Sequence, residues 1–160
     1  MLNIVKKSLI ELNINGEKKL VVARPADTLL HVLREQLGLT GAKPSCKNGD
    51  CGACTVLIDG KPIKSCLMLA AEAIGHEITT VEGLRNSPIQ QAFVEKFAFQ
   101  CGYCTSGFIM NCHALSVHQP NAKDETIREW LQSNLCRCTG YEEITEAIKS
   151  VLAQKSESAP

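Results

Sequence analysis

Eight of the nine cysteines in this chain fall into two sets whose spacing suits the gripping of metal. Gln100-Cys101-Gly102-Tyr103-Cys104 places two thiols one helical turn apart, and Cys136-Arg137-Cys138 places two more around a single arginine. In an extended segment Cys136 and Cys138 point to one face, with Arg137 opposite. Earlier in the chain, Cys46-x4-Cys51-x2-Cys54 is followed by Cys66 after eleven intervening residues. Thiolate is the metal-binding form of cysteine. Cys104 lies beside the start of a helical pattern, where free N–H groups favour that form. Gly49 and Gly52 clear the earlier loop of side chains that would keep peptide N–H groups away from sulfur.

The spacing of Cys46, Cys51, Cys54 and Cys66 is the plant-type ferredoxin pattern, with the last ligand closer than usual. Zinc also takes four thiolates, but usually from two short-spaced pairs rather than a three-cysteine loop. For Cys101, Cys104, Cys136 and Cys138 the spacing alone leaves iron-sulfur and zinc both open, since one residue between two ligands is unusual for either. A disulfide is the weakest reading for a chain expected in a reducing compartment.

The composition narrows the rest. The 160 residues are 44% apolar, as in an ordinary globular protein, and suffice for one domain or two small ones. Seventeen acidic residues balance seventeen basic ones, and no basic stripe tracks a phosphate backbone, so nucleic acid is not an expected partner. Met1 to Lys7 lacks the apolar run of a secretory signal, and no stretch reads as a membrane span. The expected location is cytoplasmic.

The elements that must position the thiols change character midway. From Ser8 to Ala23 the pattern is a hairpin turning at Asn15-Gly16. Asp27 or Thr28 caps a helix carrying Leu29, Leu30, Val32, Leu33 and Leu37 and stopped by Gly38. A loop from Thr40 to Cys54 leads into a strand over Thr55 to Ile58, the turn Asp59-Gly60 and a return strand that Pro62 assigns to an edge or bulge. A helical patch from Leu67 to Ile74 and a strand from Ile78 to Val81 complete residues 1–83. Residues 84–153 read as four helices: Pro88 to about Ala98, Thr105 to His118, one capped by Asp124, and one after Gly140 carrying Ile144, Ile148, Val151 and Leu152. Residues 154–160 read as a disordered tail.

Taken together, the segments Cys46-Lys-Asn-Gly-Asp-Cys51-Gly-Ala-Cys54, Gln100-Cys101-Gly-Tyr-Cys104 and Asn134-Leu-Cys136-Arg-Cys138-Thr-Gly-Tyr141 closely resemble the motifs of a known family. It is the small iron-sulfur subunit of molybdenum hydroxylases, the family of xanthine dehydrogenase, aldehyde oxidoreductase and carbon monoxide dehydrogenase. The resemblance runs from about Ser8 to Leu152. It implies an α+β fold, with an N-terminal β-grasp (plant-type ferredoxin-like) domain followed by an all-α four-helix domain, each holding one [2Fe-2S] cluster. It further implies an electron-transfer role without substrate chemistry on this chain. The implied partners are a large molybdenum-pterin subunit and an FAD subunit in a hetero-oligomer, for which a dimer of heterotrimers is one arrangement. Gln100 would hydrogen-bond the pterin, and Cys138 would both bind iron and contact the pterin amino group. Ser106, Ser133 and Ser45 stand where the family commonly has proline, glycine and glycine.

Other residues read as structural. Cys112 shares an apolar helix face with Phe108 and Leu115, Trp130 fills the bundle, Tyr103 packs over the second cluster, and the four histidines are solvated or at helix ends. Lys43, Lys47, Lys64 and Arg137 either offset cluster charge or lie in solvent. Two other functions compete: a free-standing two-cluster ferredoxin, which would need a polar surface around Gln100, and a zinc-stapled structural or adaptor module.

Overall fold

The computed structural model describes residues 6–157. Strands β1 (Ser8–Ile14) and β2 (Glu17–Ala23) pair antiparallel from Ser8↔Ala23 to Ile14↔Glu17. Asn15 and Gly16 turn the hairpin at φ 54° and 80°, the left-handed pair that matches the twist of the strands. Alternation then buries Leu12, Ile14, Val21 and Ala23 on one face.

Helix α1 (Leu29–His31) is capped by Thr28, whose Oγ1 accepts from the His31 N–H at 3.3 Å. Asp27 is unavailable as a cap because its carboxylate holds the Arg24 N–H at 2.8 Å and Nε at 3.0 Å. The helix then widens into a π-turn over Val32–Gln36 before Gly38 ends it at φ 67°. Three further strands, β3 (Thr55–Ile58), β4 (Lys61–Lys64) and β5 (Glu77–Thr79), complete a mixed sheet ordered β2-β1-β5-β3-β4. β1 and β5 run parallel and the other neighbours antiparallel. Pro62 sits on the edge strand, as a residue without an N–H should. β5 stops at Thr79, short of the expected Val81, because Thr80 is bound by Asn15: its N–H donates to Oδ1 at 2.8 Å and its Oγ1 accepts from Nδ2 at 3.0 Å.

After a 3₁₀ turn at Val81–Gly83 come α2 (Pro88–Glu95), α3 (Thr105–His118), α4 (Asp124–Leu131) and α5 (Glu142–Glu157). α2 ends before the expected Ala98 because Phe97 turns left-handed, at φ 51°. Asp124 is the first residue of α4 rather than its cap, and it pairs with Lys149 at 2.8 Å. α5 continues past residue 153 to Glu157, where a disordered tail was expected; the Lys155 ammonium donates to the Ser116 carbonyl at 2.7 Å and holds that turn down. Residues 1–5 and the remaining tail, 158–160, lie outside the described residues.

Two apolar cores form, one from Leu12 to Ile78 and one from Leu84 to Leu152. The second also takes in Leu57 of β3, because α3 packs against that strand as well as the other helices. α3 is therefore buried almost all round, with Phe108, Met110, Cys112 and Leu115 fully enclosed. Cys112 is core: burial alone pushes its thiol up to about 12. Trp130 packs on the same core. No helix among the described residues is long and apolar enough to cross a membrane.

Candidate metal centres

Cys46, Cys51, Cys54 and Cys66 gather where the 43–54 loop enters β3 and β4 leaves the sheet. The loop reverses through Lys47, Gly49 and Gly52, at φ 59°, 91° and 69°. At Gly52 a Cβ would lie 2.4 Å from the Asn134 amide and 2.6 Å from the Ser133 carbonyl, so that position requires glycine for space as well as for φ, whereas at Gly49 it would meet only the mobile end of Leu67 and φ alone favours glycine. The turn aims peptide N–H groups at sulfur. Cys51 N–H donates to Cys46 Sγ at 3.4 Å, and amides of Cys51, Asn48 and Gly49 hold the Cys46 thiol down at about 6, in the thiolate range at neutral pH. Burial, followed by the Cys54 thiol beside it, pushes Cys66 up to about 11. The four thiols thus stand as two pairs, Cys46 with Cys51 and Cys54 with Cys66.

Cys101, Cys104, Cys136 and Cys138 come from the start of α3 and the segment between α4 and α5. They too form two pairs. Cys104 meets Cys136, and burial followed by that neighbour pushes Cys104 up to about 12. Cys138 meets Cys101, whose thiol raises it, and both are exposed. At Cys136 burial opposes ionisation, but the Thr139 hydroxyl at 3.1 Å and N–H at 3.3 Å outweigh it and hold the thiol below its ordinary value. Tyr141 steadies the same segment: its hydroxyl accepts from the Cys136 N–H at 2.9 Å while its ring meets Phe108 edge-on.

Two pairs of thiols are what a two-iron cluster needs, because each iron takes two thiolates and shares the bridging sulfides. One tetrahedral zinc ion would instead draw all four sulfurs onto one point. The residues fit a cluster. Thr105 Oγ1, next to Cys104, is buried without a partner and is a hydroxyl a cluster sulfur would satisfy.

The two sets are bonded together. Leu135 N–H donates to the Cys51 carbonyl and Asn134 Nδ2 to the Gly52 carbonyl, both at 2.9 Å. Lys64 Nζ donates to the Ser133 carbonyl at 2.8 Å, and Ser106 Oγ to the Gly41 carbonyl at 2.6 Å. Tyr103, expected only to cover the second set, also donates its hydroxyl to the Pro44 carbonyl. Spacing carried no signal for these contacts, nor for Thr139 and Thr105, since each depends on which backbone group folding brings opposite.

Gln100 is exposed beside Cys101. Its sequence neighbours are apolar and open to solvent: Phe97 is 78% exposed, Phe99 41% and Tyr103 46%. The histidines depart from the solvated reading in one case. His113 is half-buried with Nδ1 3.1 Å from Ser87 Oγ. His76 stays at the surface paired with Asp59, and His118, exposed at the end of α3, lies 2.9 Å from the Gly60 carbonyl.

Known proteins resemble the chain over both halves. The profile of a 2Fe-2S iron-sulfur cluster binding domain matches residues 12–78, and that of a [2Fe-2S] binding domain matches residues 80–149. The nicotinate dehydrogenase small FeS subunit of Eubacterium barkeri is 45% identical over 91% of this chain and 95% of its own. The nicotine 6-hydroxylase small subunit of Paenarthrobacter nicotinovorans is 45% identical over 87% of this chain and 86% of its own. Among solved structures, a chain of quinoline 2-oxidoreductase from Pseudomonas putida 86 superposes with a TM-score of 0.88 at 40% identity, covering 94% of this chain and 96% of that one. Aldehyde oxidoreductase from Desulfovibrio gigas gives 0.89 at 34% identity, covering 96% of this chain but 18% of that longer one.

Proposed function

The chain belongs to the small iron-sulfur subunits of the molybdenum hydroxylases, and on that premise we propose that its eight paired cysteines hold two [2Fe-2S] clusters. Cys46, Cys51, Cys54 and Cys66 hold one, in a ferredoxin-like domain of residues 1–83. Cys101, Cys104, Cys136 and Cys138 hold the other, in the helical domain of residues 84–153. When bound, the clusters supply one-electron relay between a molybdenum-pterin centre in a large partner subunit and FAD in another.

The residues of this chain hold and couple the two sites. Thr139 and the amides of the 46–51 turn favour the thiolates that iron requires. Gly52, Asn134 and Leu135 bring the two ligand segments into backbone contact. Gln100 hydrogen-bonds the pterin and Cys138 contacts its amino group as well as iron; the exposure of both residues, with Cys138 beside Cys101, supports this reading. The single observation that carries the subunit reading is the exposure of the aromatic residues Phe97, Phe99 and Tyr103, which flank Gln100 in the chain. A diffusing ferredoxin would keep that surface polar, whereas a subunit covers it. We place the complex in the cytoplasm.

Metal analysis and EPR test the proposal. The chain should carry about four iron and four labile sulfide and show two distinct [2Fe-2S] signals on reduction. Cys66→Ser should remove one signal and Cys136→Ser the other. Stoichiometric zinc without sulfide would overturn it. A tagged chain should also retain a molybdenum-pterin subunit and a flavin subunit; a lone monomer with both clusters would favour the free ferredoxin.

A further inference from the structure

Lys64 is a half-buried cation tied between the two thiol sets. Its Nζ donates to Thr55 Oγ1 at 3.2 Å and to the Ser133 carbonyl at 2.8 Å. Thr55 follows Cys54 directly, Lys64 itself stands two residues before Cys66, and Ser133 lies on the segment leading to Cys136. The ammonium is within electrostatic reach of Cys54, Cys51, Cys66 and Cys46. Other basic residues near the ligands differ in setting. Lys47 and Arg137 are exposed, so water and salt screen them, and Lys43 Nζ is directed to the Thr40 carbonyl.

We infer that Lys64 is a potential-setting residue, whose charge favours the reduced state of the cluster at Cys46, Cys51, Cys54 and Cys66 over that of the other cluster. The inference rests on the two-cluster reading above. Reduction adds one negative charge to a cluster, and a partly desolvated cation stabilises that charge more than an exposed one does. The favoured exchange is then loss of one electron by the cluster at Cys101, Cys104, Cys136 and Cys138 and gain of one by the first-set cluster. The carbonyl of Ser133 and the hydroxyl of Thr55 hold the ammonium in place. Arginine could replace it there, because it keeps both charge and donors.

The test is an EPR-monitored potentiometric titration of the purified complex, with the first-set signal identified as the one lost in Cys66→Ser. In Lys64→Met the reduced-to-oxidised ratio of the first-set cluster at fixed potential should fall about tenfold, or about 59 mV for one electron. The second-set cluster should shift less, and Lys64→Arg should restore the wild-type value. Lys64→Gln, neutral but still able to donate to Ser133, should behave as Lys64→Met and supplies the measurement if the methionine variant loses its clusters. Unchanged potentials in the neutral variants, equal shifts of both clusters, or an arginine variant as displaced as the neutral ones would each overturn the inference. Absence of two signals from the wild-type complex would instead overturn the two-cluster reading itself.

Discussion

The backbone N–H of Leu135 donates to the carbonyl of Cys51 at 2.9 Å. Cys51 belongs to one thiol set, and Leu135 directly precedes Cys136 of the other, so a single hydrogen bond joins a ligand of one set to the residue beside a ligand of the other. Leu135→Pro removes the donor while Leu135→Ala retains it. The proline variant should keep both [2Fe-2S] signals but equilibrate electrons between them more slowly in rapid-freeze EPR, with the alanine variant close to wild type. Equal rates in all three would show that this bond is not part of the route.

Gly52 makes the same interface possible sterically. Alanine there meets two obstacles, a φ of 69° and a clash with Asn134 Nδ2 at 2.4 Å, whereas alanine at Gly16 meets only a φ of 80° in open space. Gly16→Ala should therefore cost about 1–2 kcal/mol, the backbone penalty alone. Gly52→Ala should cost about 3 kcal/mol or more and also disturb the neighbouring thiols. Thermal melts compare the two. Similar losses would mean that Asn134 moves aside freely.

His113 gives stability a pH dependence. Burial, and secondarily the Lys155 ammonium, lower its pKa below the ordinary 6.5. Between 6.5 and the lower folded value the unfolded chain binds more protons, so stability falls as pH drops through that window and is fully present above it. Denaturant melts from pH 7.5 down to pH 5 should show the decline, and His113→Gln should flatten it. A slope unchanged by the substitution would assign it to other groups.

The proposed contact of Gln100 with the pterin can be tested in the same complex. In the purified complex, Gln100→Ala should leave both cluster spectra intact while slowing reduction of the clusters by substrate. A hydrogen bond to a polar ligand contributes about 1 kcal/mol, so a several-fold effect is expected. Unchanged turnover together with unchanged cluster reduction would remove Gln100 from the contact.

Local chemistry wrote much of the fold into the sequence. Asn15-Gly16 reads as a hairpin because its left-handed turn needs no distant partner. Pro62 reads as an edge because it lacks an N–H, and Pro88 marks the start of α2 through its fixed φ. The two cysteine sets were legible for the same reason: ligand spacing reflects short loops. Errors came where a distant group decides a local end, as when Asn15 binds Thr80 and stops β5, or Lys155 reaches Ser116 and extends α5.

By itself, then, the sequence determined which residues have the chemistry for two metal centres and which family of folds would carry them. Only the tertiary structure decided how the thiols pair, why α3 is buried almost all round, and where Lys64 stands between the sets. Those features depend on carbonyls and side chains far apart in the chain, such as Ser133 with Lys64 and Gly52 with Asn134. No periodicity or spacing encodes such meetings; packing the helical half against β3 creates them.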